Sequence, residues 1–319
     1  MTRMTSTLSH GMIMLAATIA RRFYIDGESK SDIAESTGLS RFKIARMLEL
    51  SVREGIIRFE IVTPNSFNHE LSEEIRKAFN LRRVVVVDLL DGDGTQASMR
   101  QAVGRAAAEV LSELVTESDV LGVGWGRTLS AMAAELRSIP ACMVVQMAGI
   151  AGSINENSLE LARKIGQVGG GQAFPLFVPL IVQDAQTAAS LRSQPGVAAA
   201  MKLADQITVA AIAVGSWSPP ESQMMAALTP SEQAELQAKG VVAEVLSTLV
   251  RADGSIVTDL FERSIATSME ILREIPELIL IAGGERKAAA VKAVLAAGFG
   301  TTLVTDNRMA EQMMSGLRS

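Results

Sequence analysis

From residue 8 to residue 24, apolar side chains recur at helical spacing: Met12, Leu15, Ala16, Ile19 and Phe23 share one side, and Asp26 and Gly27 end the run. Residues 30–49, KSDIAESTGLSRFKIARMLE, predict two helices joined by a sharp turn. Ile33 and Ala34 present apolar, small side chains to a partner helix. Gly38 supplies the residue that tolerates positive φ. Ser40 is an N-cap, and Ile44, Met47 and Leu48 repeat inward. Between Ser40 and Leu48 stand Arg41, Lys43 and Arg46 and no acidic residue, so the outward face of the second helix is basic. Residues 56–62, IIRFEIV, read as a strand of a wing beside that helix, with Arg58 placed to touch a phosphate. Residues 69–81 read as a polar, helical connector.

Beyond residue 82 the period changes. VVVVDLL at 84–90 is a continuous apolar run, as in a strand covered on both faces. A strand running into a glycine-rich turn is expected at 119–128 and further strands at 143–147, 207–214, 278–282 and 302–305, with helices at 104–114, 129–136, 230–239 and 287–297 among the segments between them. Buried strands alternating with helices predict an open, mostly parallel sheet with helices on both faces. The expected organisation is α/β: a small winged helix-turn-helix domain at 1–62, a linker at 63–81 and a larger domain at 82–319.

Three strand ends carry candidate chemistry. In Gly124-Trp125-Gly126-Arg127-Thr128 the glycines let an anion approach the backbone, and the amides of Arg127 and Thr128 open a helix. The motif is neither a dinucleotide fingerprint nor a Walker loop. Gly283 and Gly284 lead to Lys287, which either adds a cation to the same anion or sits solvated on a first turn. Asp306 either binds a hydroxyl or caps the helix after it. Together these ends suggest a sugar-phosphate pocket. Glu244 or Asp205 could move a proton in a sugar-phosphate enzyme, but the sequence pairs no nucleophile with a base. An enzyme is therefore the alternative, not the first reading.

Composition changes this picture little. The net charge of −5 does not by itself point to nucleic acid, although a small basic domain can be masked by a larger acidic one. Cys142 is the single cysteine, and His10 and His69 are the two histidines, so neither a disulfide nor a Cys/His metal cluster is expected. No cofactor is expected. MIMLAATIA at 12–20 is short for a signal core and is followed at once by Arg21 and Arg22; a cytoplasmic protein without a membrane span is expected.

LSRFKIARMLELSVREGIIRFEI, GVGWGRT, NENSLELARKIG with FPLFVPLIV, KGVVAEVL, IAGGERKAAAVKAVLAAG and VTDNRMAEQMM occur in this order. With them the chain resembles the SorC-type sugar-binding bacterial transcriptional regulators over almost its whole length. The resemblance implies a non-catalytic effector domain similar to sugar-phosphate isomerases, a homodimer or homotetramer, and operator DNA released or bound in response to a phosphorylated sugar or polyol. It puts the effector phosphate near Gly124, Gly126, Arg127, Thr128 and Lys287. Glu244, where relatives often have aspartate, becomes a partner for effector hydroxyls, and Gln146 and Asn155 become further pocket residues. Ser40, Arg41, Lys43, Arg46 and Arg58 become the DNA-facing set.

Overall fold

In the computed structural model, residues 9–57, 67–89, 95–151 and 160–315 are described. The chain divides into two compact units, Met1–Thr63 and Pro64–Ser319.

The first unit is built from α1 (His10–Tyr24), α2 (Lys30–Thr37) and α3 (Arg41–Arg53). Its core is small: Ala16, Ile19, Ala20, Ile33, Ala34, Ile44, Met47 and Leu48. Polar ties supplement it. The buried Ser51 hydroxyl bonds the carbonyls of Met47 (2.7 Å) and Ala16 (3.2 Å), fastening α3 to α1. Arg22 at the end of α1 pairs with Glu28 and donates to Ser36 Oγ on α2 at 2.8 Å. A capping box between Ser29 and Asp32 starts α2. Gly38 ends it with φ +69°, the left-handed conformation that turns the chain into α3. The expected wing strand and Arg58 fall largely at 58–66, outside the described residues.

The larger unit carries a continuous parallel sheet in the order β1 (Arg83–Val87), β10 (Thr302–Asp306), β9 (Glu277–Ile281), β5 (Val209–Ser216), β2 (Val120–Val123), β3 (Met143–Gln146) and β4 (Ala173–Phe174). Two apolar layers cover its faces, one around Val86, Ile212, Leu280 and Leu303, the other around Leu111, Leu121, Ile279 and Val304. Helices α5 (Gln96–Leu114), α6 (Arg127–Glu135) and α7 (Leu161–Gly169) line one side; α12 (Ala288–Ala296) and α13 (Asn307–Met314) pack on the other. The far end of β5 pairs antiparallel with β6 (Val241–Val245), which continues into β7 (Thr248–Arg251) and β8 (Ile256–Val257). This extension was not expected from the sequence.

Two further differences have simple causes. α5 begins eight residues before the expected start, because Thr95 accepts from the Ser98 amide at 3.1 Å and caps a polar first turn that carries little apolar period. The stretch read as a linker contains α4 (His69–Ala78). Its Leu71 and Ile75, one turn apart on an otherwise polar helix, are buried in the larger unit's core against β1 and α13. Among the described residues no helix is long and apolar enough to cross a membrane.

Candidate functional site

Two surfaces bring candidate chemistry together. On α3, Ser40 has extended backbone and its hydroxyl accepts from the Lys43 amide at 3.2 Å. That cap fixes where the helix starts, and burial of Ile44, Met47 and Leu48 fixes its rotation. Arg41, Lys43 and Arg46 are consequently turned outward, and all three are exposed. Among the described residues the ion pair on this helix is Arg53 with Glu54 at its far end (3.2 Å); the three outward cations join none. A basic, unpaired first turn on the second helix of a tight helix pair is the arrangement that enters a DNA major groove.

The second surface is a cleft of about 600 Å³, counting its solvent-filled mouth, at the carboxyl ends of the strands. Chain order reverses here: from β2 the sheet grows through β3 to β4, and from β5 it grows the other way through β9 and β10. Ligands of open α/β sheets bind at such a switch point. Gly126, Arg127 and Thr128 come from the β2–α6 turn, Ala213–Gly215 from β5, Gly283 and Lys287 from the turn after β9, Glu244 from β6, and Gln96 and Arg100 from the first turns of α5.

Gly126 stands before α6 with φ +141° and no side-chain cap, so no capping side chain takes the first amides of this helix, whose opening residues line the cleft. A Cβ at this position would also meet Ala213 Cβ at 3.1 Å. Thr128 is buried and lines the wall. Lys287 is half-buried, and its ammonium donates to the Val214 carbonyl at 3.0 Å. Burial pushes the Lys287 ammonium below its ordinary value; Glu221 and Glu244 pull it back, and Arg127 and Arg100 oppose them. Glu244 is buried. Its carboxyl accepts from Ser222 Oγ at 2.6 and 2.7 Å and, closely, from Trp217 Nε1. Burial pushes it up to about 7, against the Ser222 and Trp217 hydrogen bonds and the Lys287 charge. The cleft thus joins a cationic wall to a carboxyl group able to change protonation near neutral pH.

Of the expected effector residues, Gly126, Arg127, Thr128, Glu244 and Lys287 meet here; Gly124, Gln146 and Asp306 do not line the cleft. Gly124 is buried beneath it, its amide on the Ala211 carbonyl at 3.0 Å. The Gln146 side chain donates to the carbonyls of Ala148 (2.7 Å) and Leu176 (3.3 Å) and accepts from the Leu176 amide (3.3 Å), so its hydrogen bonds stay within the protein. Asp306 does cap α13, through Arg308 and Met309 amides at 3.1 Å, and its other oxygen takes the Gly284 amide at 2.5 Å. It therefore acts on the cleft by pinning the turn that presents Lys287. Asn155 lies outside the described residues. Sequence reasoning missed Arg100, Glu221, Ser222 and Trp217. The strand-end rule applied to β1 would have pointed to the start of α5 and so to Arg100; no local pattern marks the other three.

Residues 63–315 match the family model described as "Putative sugar-binding domain". The sequence is similar to the uncharacterized transcriptional regulator YjhU of Escherichia coli K12, 28% identical over 310 residues and covering 92% of each chain. It is also similar to the transcriptional regulator LsrR of Enterobacter sp. strain 638, 27% identical over 307 residues, 94% of this chain and 93% of the relative. The fold is similar to the full-length sorbitol operon regulator SorC from Klebsiella pneumoniae, with TM-score 0.71, 21% identity, and coverage of 95% of this chain and 98% of that one. A domain of a possible sugar-binding transcriptional regulator from Arthrobacter aurescens TC1 superposes with TM-score 0.69 and 29% identity over 79% of this chain and 99% of its own.

Proposed function

The chain belongs to the SorC-type sugar-binding transcriptional regulators, and on that premise we propose that its effector is a phosphorylated sugar or polyol held in the switch-point cleft. The protein is a DNA-binding transcriptional regulator of carbohydrate metabolism. The observation that carries the effector reading is the meeting of Arg100, Arg127 and Lys287 with the buried Glu244 in one cleft. A ligand that suits it has an anionic end and a hydroxyl-bearing body. The phosphate takes the amides of Arg127 and Thr128, the Thr128 hydroxyl and the Lys287 ammonium. Glu244 binds hydroxyls, with Trp217 and Ser222 holding its carboxyl in place.

On the DNA side, Arg41 bonds guanine O6 and N7, Ser40, Lys43 and Arg46 take phosphates or base edges, and Arg58 takes a phosphate. Pairing of subunits as a homodimer or homotetramer matches two such helices to a palindromic operator in the cytoplasm. Effector binding favours one placement of the DNA-binding units over another.

A thermal-shift screen of phosphorylated pentoses, hexoses and tetritols tests the effector. The expected result is a hit that its unphosphorylated parent does not reproduce and that alters operator binding. Equal stabilisation by the parent sugar would remove the phosphate from the reading.

A further inference from the structure

Phe42 is 79% exposed, the most exposed of the large apolar side chains that reach solvent in the described residues. A single exposed apolar residue on an ordinary surface calls for no explanation. This one stands on the first turn of α3, between Arg41 and Lys43 and two residues after the capping Ser40. Ile44 is buried two residues on, about 200° around the helix, so the ring cannot join the core without breaking the helix. Phe42 and Arg46 are one turn apart on the same outward face, with the small Ala45 beside them. Side chains on a helix lean towards its N-terminus, the end that reaches base edges in a helix-turn-helix complex. Of the groups that base pairs present in the major groove, the thymine 5-methyl is the apolar one, and phenylalanine is among the side chains that meet it.

We propose that Phe42 reads the 5-methyl group of one thymine in each operator half-site. The proposal rests on reading α3 as the helix that enters the groove. Arg41 then fixes a guanine through polar contacts while the adjacent ring selects a neighbouring thymine by shape and desolvation, so the first turn discriminates two base positions by different chemistry.

The test uses the full chain. Its preferred operator is recovered from random duplexes, and each thymine is then replaced by deoxyuridine, which removes only the methyl. At one thymine per half-site the wild type should lose about fourfold in affinity, the size of one buried methyl group. Phe42→Ala should bind the thymine operator at least fourfold more weakly and become indifferent to that replacement, and Phe42→Leu should keep part of the sensitivity. Helicity and thermal midpoint report folding; should Phe42→Ala misfold, the comparison of wild type with Phe42→Leu decides. Sequence-selective binding with deoxyuridine tolerated everywhere, or equal sensitivity in wild type and Phe42→Ala, overturns the thymine assignment alone. Recovery of no preferred sequence overturns it together with the DNA-facing role of α3.

Discussion

The two units deploy their cations in opposite ways. On α3, Arg41, Lys43 and Arg46 are exposed and unpaired among the described residues. In the cleft, Lys287 is half-buried, bonded to a backbone carbonyl and facing Glu221 and Glu244. The same division appears along the chain: residues 1–63 hold nine basic and seven acidic side chains, and residues 64–319 hold 21 and 28. Exposed cations keep their hydration and act at a distance, so they gather a polyanion in a salt-dependent way. A cation already partly dehydrated acts only on a ligand that fits against it, and geometry decides which one does. A surface that finds a long polymer gains from displaying its charge as α3 does; a cleft that selects a small molecule gains from a partly withdrawn cation such as Lys287.

That contrast can be tested at four sizes of effect. The largest belongs to Glu244. Its value is about 7 in the folded protein against an ordinary 4.5. The unfolded chain therefore releases this proton at lower pH than the native state does. The stability that the protonated carboxyl contributes is complete below about pH 4.5 and is lost as pH rises through about 7, a difference of about 3 kcal/mol. Urea unfolding should show Glu244→Gln flattening this decline; an unchanged profile would place the titration elsewhere.

Next is Lys287→Ala. Loss of a charge-assisted contact should weaken the effector by about 2 kcal/mol, roughly thirtyfold, while operator affinity without effector stays as it was. Calorimetry with the effector and a gel shift without it read the two arms. An equal loss in both would break the division of labour. A third test compares cations on α3. Arg41→Ala should cost roughly tenfold and relax preference at one base pair, whereas Lys43→Ala should weaken all sequences alike and reduce the salt slope by about 1. If both mutants behave identically, the base-reading role of Arg41 falls. The smallest effect is Ser40→Ala, which removes the cap of α3 and should lower local stability by about 1 kcal/mol, seen as faster amide exchange in its first turn.

How legible was the protein before its fold? The turn between the paired helices was readable to the residue, because Gly38 and Ser40 mark the facing helix ends by local backbone preferences. Six of the seven parallel strands were readable as apolar runs, although β1 ends at Val87, short of the expected run; β4, two residues long, was not readable. α4 was visible as a helix but not as part of the larger unit, because two buried apolar residues in ten give a weak apolar signal. The β6–β7–β8 extension was not visible at all, since nothing in KGVVAEVL says which edge it will pair with.

The sequence alone determined the basic helix α3, the glycine turn before Thr128 and the alternation that makes an α/β sheet, since each depends on interactions within a few residues. Tertiary structure decided which distant residues meet. It put Arg100 in one cleft with Lys287, set Ser222 and Trp217 against the Glu244 carboxyl, sent Gln146 and Asp306 to backbone partners instead, and buried Glu244 deeply enough to push its pKa towards neutrality. Strand order sets those meetings. It is chosen by packing both sheet faces at once, a property of the whole unit that no short stretch of chain encodes.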